Sequence, residues 1–501
     1  MAGFLHNLFR GSSSWLTSLC LHIVIILLLA LWSLPSLPEL TLNNLIASTD
    51  SDELEDFSEI PQLDFEDLET ELEVQAVDFS NETDIDIQPI TEPLVPADVV
   101  FTELAEVGFT ALSSEVVSTS AKAFGRSEAS KKLLSKKKGG TAASERAITL
   151  ALAWLARHQN PDGTWSLAHH EGPCRGRCDN PSTAYREPER SLRGATALAL
   201  LPFLGAGQTH ETGKYKQVIK RGLAALVNLG RPNNKGPGIS YYDNIGQASY
   251  SHAIATLALA EALGLSDDQS LRGPAQGGID YIAFTQKKDG GWSYRPNRGR
   301  SDTSIVGWHL QAMKSGFIAN LNISPQVARQ GFGFLDKASF AQGARYSYFP
   351  RTKENLQLVG ANKITPKATL AGVGLLSRIY QGWPRDHPGL TQGVKLIAKK
   401  GPSVTGVEAN FYSNYYDSQV LFQHTSGEGE MWTNWNDKLR DFLVASQDTK
   451  GHQRGSWFAT GGHGKTGGRL YVTSLATLTL EVYYRYLPIY DLNTESLEFG
   501  E

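Results

Sequence analysis

Two acids in this chain stand where chemistry could be placed. Asp302, in Arg300-Ser301-Asp302-Thr303-Ser304, and Asp417, in Tyr415-Tyr416-Asp417-Ser418-Gln419, each precede or open a stretch that reads as a small-residue helix. A carboxyl group in a dry cavity can donate a proton or steady a developing cation. Two carboxylates on facing walls can hydrolyse a glycosidic bond, but sequence spacing does not say whether these two face each other. The same positions also suit helix N-caps. A second group lies in HHEGPCRGRCDNPS, where Cys174 and Cys178 follow His169 and His170. Thiolates and imidazoles can hold a metal. A close cysteine pair in a Gly- and Pro-rich loop can equally be a disulfide, or two free thiols.

Aromatic residues form the third group. Tyr241, Tyr242 and Tyr250 lie before or at the start of one apolar helix pattern, and Trp308 lies within the next. Tyr346 and Tyr348 share one loop, Phe411, Tyr412, Tyr415 and Tyr416 cluster further on, and Tyr471 opens the last pattern. Rings of this kind could line a cavity for an apolar chain, a carbocation or a sugar ring. They could also fill a core.

The elements that must position these groups repeat along the chain. Amphipathic helix patterns occur at about 144–158, 214–229, 275–286, 325–340, 389–400 and 434–447. Between them lie patterns rich in Ala, Gly, Ser and Thr and apolar on most of their circumference, at 193–207, 251–266, 302–316, 369–382, 415–429 and 471–487. A helix apolar all round is buried on all sides. Six hairpins of one exposed and one buried helix cannot cover their apolar faces singly, so they are expected to stack into a closed ring over 142–490.

Three of the amphipathic helices end in a Gln, a polar Gly-containing turn and a Trp. The pairs are Gln159 with Trp165, Gln286 with Trp292, and Gln447 with Trp457. RHQNPDGTW and TQKKDGGW resemble the QW repeats of the squalene-hopene and oxidosqualene cyclases, within the prenyltransferase and squalene cyclase repeat superfamily. The resemblance covers roughly 350 residues and implies an all-α (α/α)6 toroid, with the six Gln and Trp residues tying outer helices together. It also implies a cavity for an isoprenoid. In those cyclases a D-x-D-D-T-A motif supplies the proton. The matching stretch here is GRSDTS, which puts Asp302 on the last acid and Ser301 where the proton donor stands. Zinc of the protein prenyltransferase kind would need an Asp, Cys and His set on late inner helices, and the toroid's only cysteines lie in its first loop. The stretch ATGGHGKT at 459–466 fits a loose P-loop pattern but follows no strand.

The 501 residues carry a net charge of −5 that conceals a division. Residues 11–121 contain 22 acidic and no basic side chains, whereas 122–501 contain 46 basic and 30 acidic. Residues 15–34 are apolar, carry no Asp, Glu, Lys or Arg, and are bounded by Trp15 and Trp32. Such a run is long enough to span a bilayer. With Arg10 before it and acids after it, residues 1–14 are expected in the cytoplasm and the toroid on the periplasmic or extracytoplasmic side. Residues 35–121 then form an acidic disordered tether, 122–141 a Lys-rich linker and 491–501 an acidic tail. In that compartment the disulfide is the simpler expectation for Cys174 and Cys178.

The function expected is that of a membrane-anchored protein binding an isoprenoid or other apolar ligand in the toroid cavity. Two alternatives stand beside it: a non-catalytic scaffold or binding module, and an (α/α)6 glycan-active enzyme. No cofactor is expected. The partners expected are the membrane, through 15–34, and an isoprenoid lipid or anionic surface. Nucleic acid is excluded by the expected compartment.

Overall fold

The computed structural model describes residues 128–183, 191–243, 248–266, 268–296, 298–359 and 364–485. The expected membrane span, acidic tether and acidic tail lie outside them. No helix of the described residues is long and apolar enough to cross a membrane.

Twelve helices among the described residues build the two layers of the ring, numbered here so that odd ones are outer and even ones inner. They are α1 (Ala142–Arg157), α2 (Leu192–Gly205), α3 (Lys216–Asn228), α4 (Ala248–Leu265), α5 (Arg272–Thr285) and α6 (Thr303–Ile318). Then follow α7 (Pro325–Ala338), α8 (Ala368–Tyr380), α9 (Pro388–Lys400), α10 (Phe411–Thr425), α11 (Gly429–Ser446) and α12 (Gly464–Leu480). Each inner helix packs on the next inner helix, and α12 packs back on α2, so the inner six close into a ring. Each outer helix packs on neighbouring inner ones. This is the alternation expected of an (α/α)6 toroid.

Sequence pattern explains the two layers. All sixteen residues of α6 are buried, and in α4 only Tyr250 and Leu265 escape burial. Outer α3 buries Ile219, Gly222, Leu223 and Leu226; α7 buries Ala328, Gly331, Phe332 and Leu335; α9 buries Leu390, Gly393, Val394 and Ile397. That is one i, i+3, i+4, i+7 stripe on each. α1 starts at a capping box, in which the Thr141 hydroxyl accepts from the Ser144 amide and Ser144 Oγ accepts from the Thr141 amide. The only strands among the described residues are three short antiparallel pairs in loops. One of them, β1 (Ser293–Arg295) with β2 (Arg298–Ser301), leads directly into α6 and sets Asp302 at its head.

The three Gln–Trp motifs share one geometry. The Gln159 amide donates to the carbonyls of Gly163 and Val218, the latter in α3. Gln286 donates likewise to Gly290 and to Val327 of α7, and Gln447 to Gly455 and to Ala147 of α1. Each Trp indole N–H donates to a carbonyl near the end of its own outer helix: Trp165 to Leu155, Trp292 to Ile282, Trp457 to Leu443. Each turn has a glycine at positive φ, Gly163, Gly290 and Gly455, whose α-carbon lies against the backbone of the next outer helix. A side chain there would collide with that backbone as well as strain the turn. The motifs therefore join α1 to α3, α5 to α7, and α11 back to α1.

The Lys-rich segment departs from the linker expectation. Glu128–Lys138 is a helix with Ser135 and Lys138 buried. Lys131 Nζ donates to the Ala206 carbonyl, Lys138 Nζ pairs with Glu428 at 2.6 Å, and Trp432 Nε1 donates to the Lys138 carbonyl. Leu134 packs on the core. The pattern of one apolar and one small residue among lysines is enough to seat a single face. Lys132, Lys136 and Lys137 remain exposed.

Candidate functional site

The described residues with most chemical potential meet where the inner helices begin. Asp302 caps α6, with Oδ1 accepting from the Ser304 amide at 2.8 Å and from Ser304 Oγ, and Oδ2 accepting from the Tyr294 hydroxyl at 3.1 Å. Burial pushes its carboxyl up to about 6, against the pull of those donors. Tyr250 of α4 hydrogen-bonds Ser304 Oγ at 2.7 Å, and its ring meets Tyr294 edge-on. Burial and then the Asp302 carboxylate hold the Tyr250 phenol well above its ordinary range.

A second aromatic group comes from α10, joined by Trp308 of α6. The Tyr412 and Tyr416 rings meet at a tilt, 5.0 Å apart, and Trp308 of α6 lies parallel to Tyr415 and edge-on to Tyr416. The Tyr412 and Tyr416 hydroxyls are buried without a hydrogen-bond partner. Burial drives both phenols well above their ordinary range. Tyr250, Tyr294, Tyr348 and Tyr471 are half-buried, the more exposed members of this aromatic group. Below it, Gln311 and Arg485 both donate to the Tyr415 hydroxyl, and Arg485 pairs with Glu261 at 2.7 Å with both side chains 1–2% exposed. This buried pair lies under the aromatic layer.

Four expected lining residues lie elsewhere. The Tyr241 hydroxyl donates to the Pro274 carbonyl of α5, and Tyr242 stacks on His252 and meets Tyr281. Tyr346 lies against Gly374 and Arg378, and Phe411 packs on Phe442 of α11. All four fill the space between layers, because they sit on the flank of an inner helix or in the loop beneath an outer one.

Asp417 also departs from expectation. It is no cap: Asn410 caps α10 and Asp417 lies in its second turn. Its Oδ2 accepts from Ser413 Oγ at 2.9 Å and pairs with Lys400 of α9 at 3.5 Å, while Gly372 of α8 packs against it. These contacts are separate from those of Asp302, so the structure does not assemble the two as a facing carboxylate pair. Ser301, at the cyclase proton-donor position, donates to Asp289 in the Gln–Trp turn at 2.8 Å. Tyr294 and Ser304 were not anticipated as site residues. Their signal was their position, two residues on from Trp292 and from Asp302.

Cys174 and Cys178 are both free and buried, contrary to the disulfide expectation. They face His158 and His452 instead, and neither His169 nor His170 joins the group.

No family model matches the chain, and no curated protein matches it. Among solved structures, the chain is similar to the α-1,6-mannanase GH76A of Salegentibacter sp. HEL1_6, at 10% identity and TM-score 0.47, covering 68% of this chain and 98% of that one. It is similar to an α-amylase from Clostridium perfringens at 12% identity and TM-score 0.46, covering 67% and 98%. It is similar to the type II terpene cyclase MstE from Scytonema at 14% identity and TM-score 0.40, covering 68% and 98%. Similarity at this level assigns neither family nor activity.

Proposed function

We propose that this chain is a membrane-anchored ring protein that holds an isoprenoid, or another apolar ligand with a polar head, in the tyrosine-lined mouth, without transforming it. The observation that carries the reading is the division of hydrogen bonding around Asp302. Both of its oxygens are taken by Ser304 and Tyr294, whereas the neighbouring Tyr412 and Tyr416 hydroxyls have no partner. An acid that protonates an alkene must offer its proton to the cavity. Asp302 accepts hydrogen bonds and lies just below neutrality, so at pH 7 it is mostly an anion that fixes Tyr294 and Ser304. Buried hydroxyls without partners cost free energy that a ligand oxygen would recover. The aromatic faces of Trp308, Tyr412 and Tyr416 suit the apolar body.

The anchor at 15–34 and the placement of the ring outside the cytoplasm belong to this proposal. So does the contact with anionic headgroups through the exposed Lys132, Lys136 and Lys137. The separate surroundings of Asp302 and Asp417 weigh against glycan hydrolysis. The test uses the full chain in detergent, melted with and without a polyprenyl alcohol and, separately, incubated with squalene. The reading expects a higher Tm with the alcohol, no such rise for Tyr412→Phe, and no cyclised product. A cyclised product would refute the non-catalytic part. An unchanged Tm with the alcohol would refute the binding part.

A further inference from the structure

Four possible metal donors from three stretches of chain converge at the seam of the ring. His158 ends α1, Cys174 and Cys178 lie in the loop after it, and His452 lies in the last Gln–Trp loop. Cys178 Sγ is 3.5 Å from His158 Nε2 and 3.2 Å from His452 Nδ1, and Cys174 Sγ is 3.6 Å from the same nitrogen. All four donor atoms lie within 4.8 Å of one another. A tetrahedral zinc with bonds of about 2.0–2.3 Å sets donor-to-donor edges of about 3.3–3.8 Å, which the three measured edges approach.

The surroundings are those of a ligand set. His158 Nδ1 lies 2.7 Å from the Trp154 carbonyl, which places its proton on Nδ1 and turns the Nε2 lone pair toward the sulfurs. The ring is also stacked on Trp154 at 3.9 Å. The Cys178 amide donates to Cys174 Sγ at 3.2 Å, a bond that favours a thiolate there. Cys174, Cys178 and His158 are buried. The third Gln–Trp pair is ten residues apart where the other two are six, and the longer loop is the one that delivers His452.

We propose that His158, Cys174, Cys178 and His452 bind one structural Zn²⁺ that fastens the first repeat to the last. Two thiolates with two imidazoles select zinc over magnesium, calcium or manganese. Four protein donors leave no position open for substrate, so the site is structural. Binding replaces two S–H bonds with two Zn–S bonds and releases both protons to solvent. Like the Gln447–Ala147 bond, the clamp joins the first Gln–Trp repeat to the last, so it acts on the same seam of the ring.

The test is the zinc and thiol content of the full chain, purified in detergent without chelator. About one zinc per chain is expected, with the Cys174 and Cys178 thiols, two of the chain's three, unreactive until a strong chelator removes it. His452→Ala, and Cys174→Ser with Cys178→Ser, should lower zinc content about tenfold or more. His169→Ala should not, since that ring stands beside His158 outside the donor set. Should the cysteine variant fail to fold, Co²⁺ replacement in the wild type decides: tetrahedral thiolate-to-cobalt absorption is expected. Chain two hydrogens lighter and free of zinc would overturn the proposal in favour of a Cys174–Cys178 disulfide. Octahedral cobalt, or zinc retained by the double cysteine variant, would overturn it too.

Discussion

The side-chain amide of Gln447 donates to the main-chain carbonyl of Ala147 at 2.8 Å, across 300 residues of sequence. That bond joins the last outer helix to the first. It repeats the Gln159–Val218 and Gln286–Val327 bonds, but those link successive outer helices. The same motif therefore does local stitching twice and ring closure once.

Gln447→Ala should lower stability by about 1–3 kcal/mol, the range for leaving buried partners unsatisfied. Gln286→Ala should cost a similar amount. The two should differ in hydrogen exchange. Only Gln447→Ala should speed exchange in α1 and α11 together, because opening there separates the chain's ends.

The Arg485–Glu261 pair under the aromatic layer should behave as a buried ion pair. Arg485→Met alone should cost about 3–5 kcal/mol, since the buried Glu261 carboxylate would lose its 2.7 Å guanidinium partner. Arg485→Met with Glu261→Met should recover most of that loss. Denaturant titrations of the two variants and the wild type check this. A double variant as weak as the single one would count against the pairing.

Asp302 should leave a mark on pH dependence. Burial raises its folded pKa from 3.8 to about 6. The folded state then holds its proton more tightly than the unfolded one, so this group's contribution falls as pH rises from about 4 to about 6, by about 3 kcal/mol in all. Buried His252 and His309, held down near 3 and 4 chiefly by desolvation, act in the opposite sense as pH falls. The Asp302 term is therefore read as the difference between wild type and Asp302→Asn. The variant should gain on the wild type through that window. Parallel curves would contradict the burial of a charged Asp302.

Tyr412→Phe separates stability from binding. Removing a buried hydroxyl without a partner should leave the ligand-free chain as stable or more so, by up to about 1 kcal/mol. The polyprenyl alcohol should bind it more weakly. Thermal melts with and without the alcohol measure both effects. A destabilised ligand-free variant would mean that the hydroxyl has a structural partner.

The ring was legible in the sequence because burial leaves a direct record. Helices such as α4 and α6 are apolar or small on every face, and α3 and α7 carry a single stripe. The Gln–Trp stitches were legible because the motif is local. What escaped was relative rotation and closure. Asp417 reads as the head of a helix, yet the helix begins at Asn410, which takes the cap and carries Asp417 round to face α8 and α9. Tyr241 and Tyr346 have the composition of lining residues but project between layers. His452 could have been joined to His158 and the cysteines only by following ring closure, since 294 positions separate the two histidines.

The central claim is that the tyrosine-lined mouth holds an apolar ligand. Native mass spectrometry of the full chain, released from detergent after expression in a cell that makes polyprenyl lipids, tests it most directly. The account predicts an added mass matching an isoprenoid, retained by the Asp417→Asn variant and depleted in Tyr412→Phe. Wild-type chain of bare polypeptide mass, or zinc as its only adduct, would contradict it.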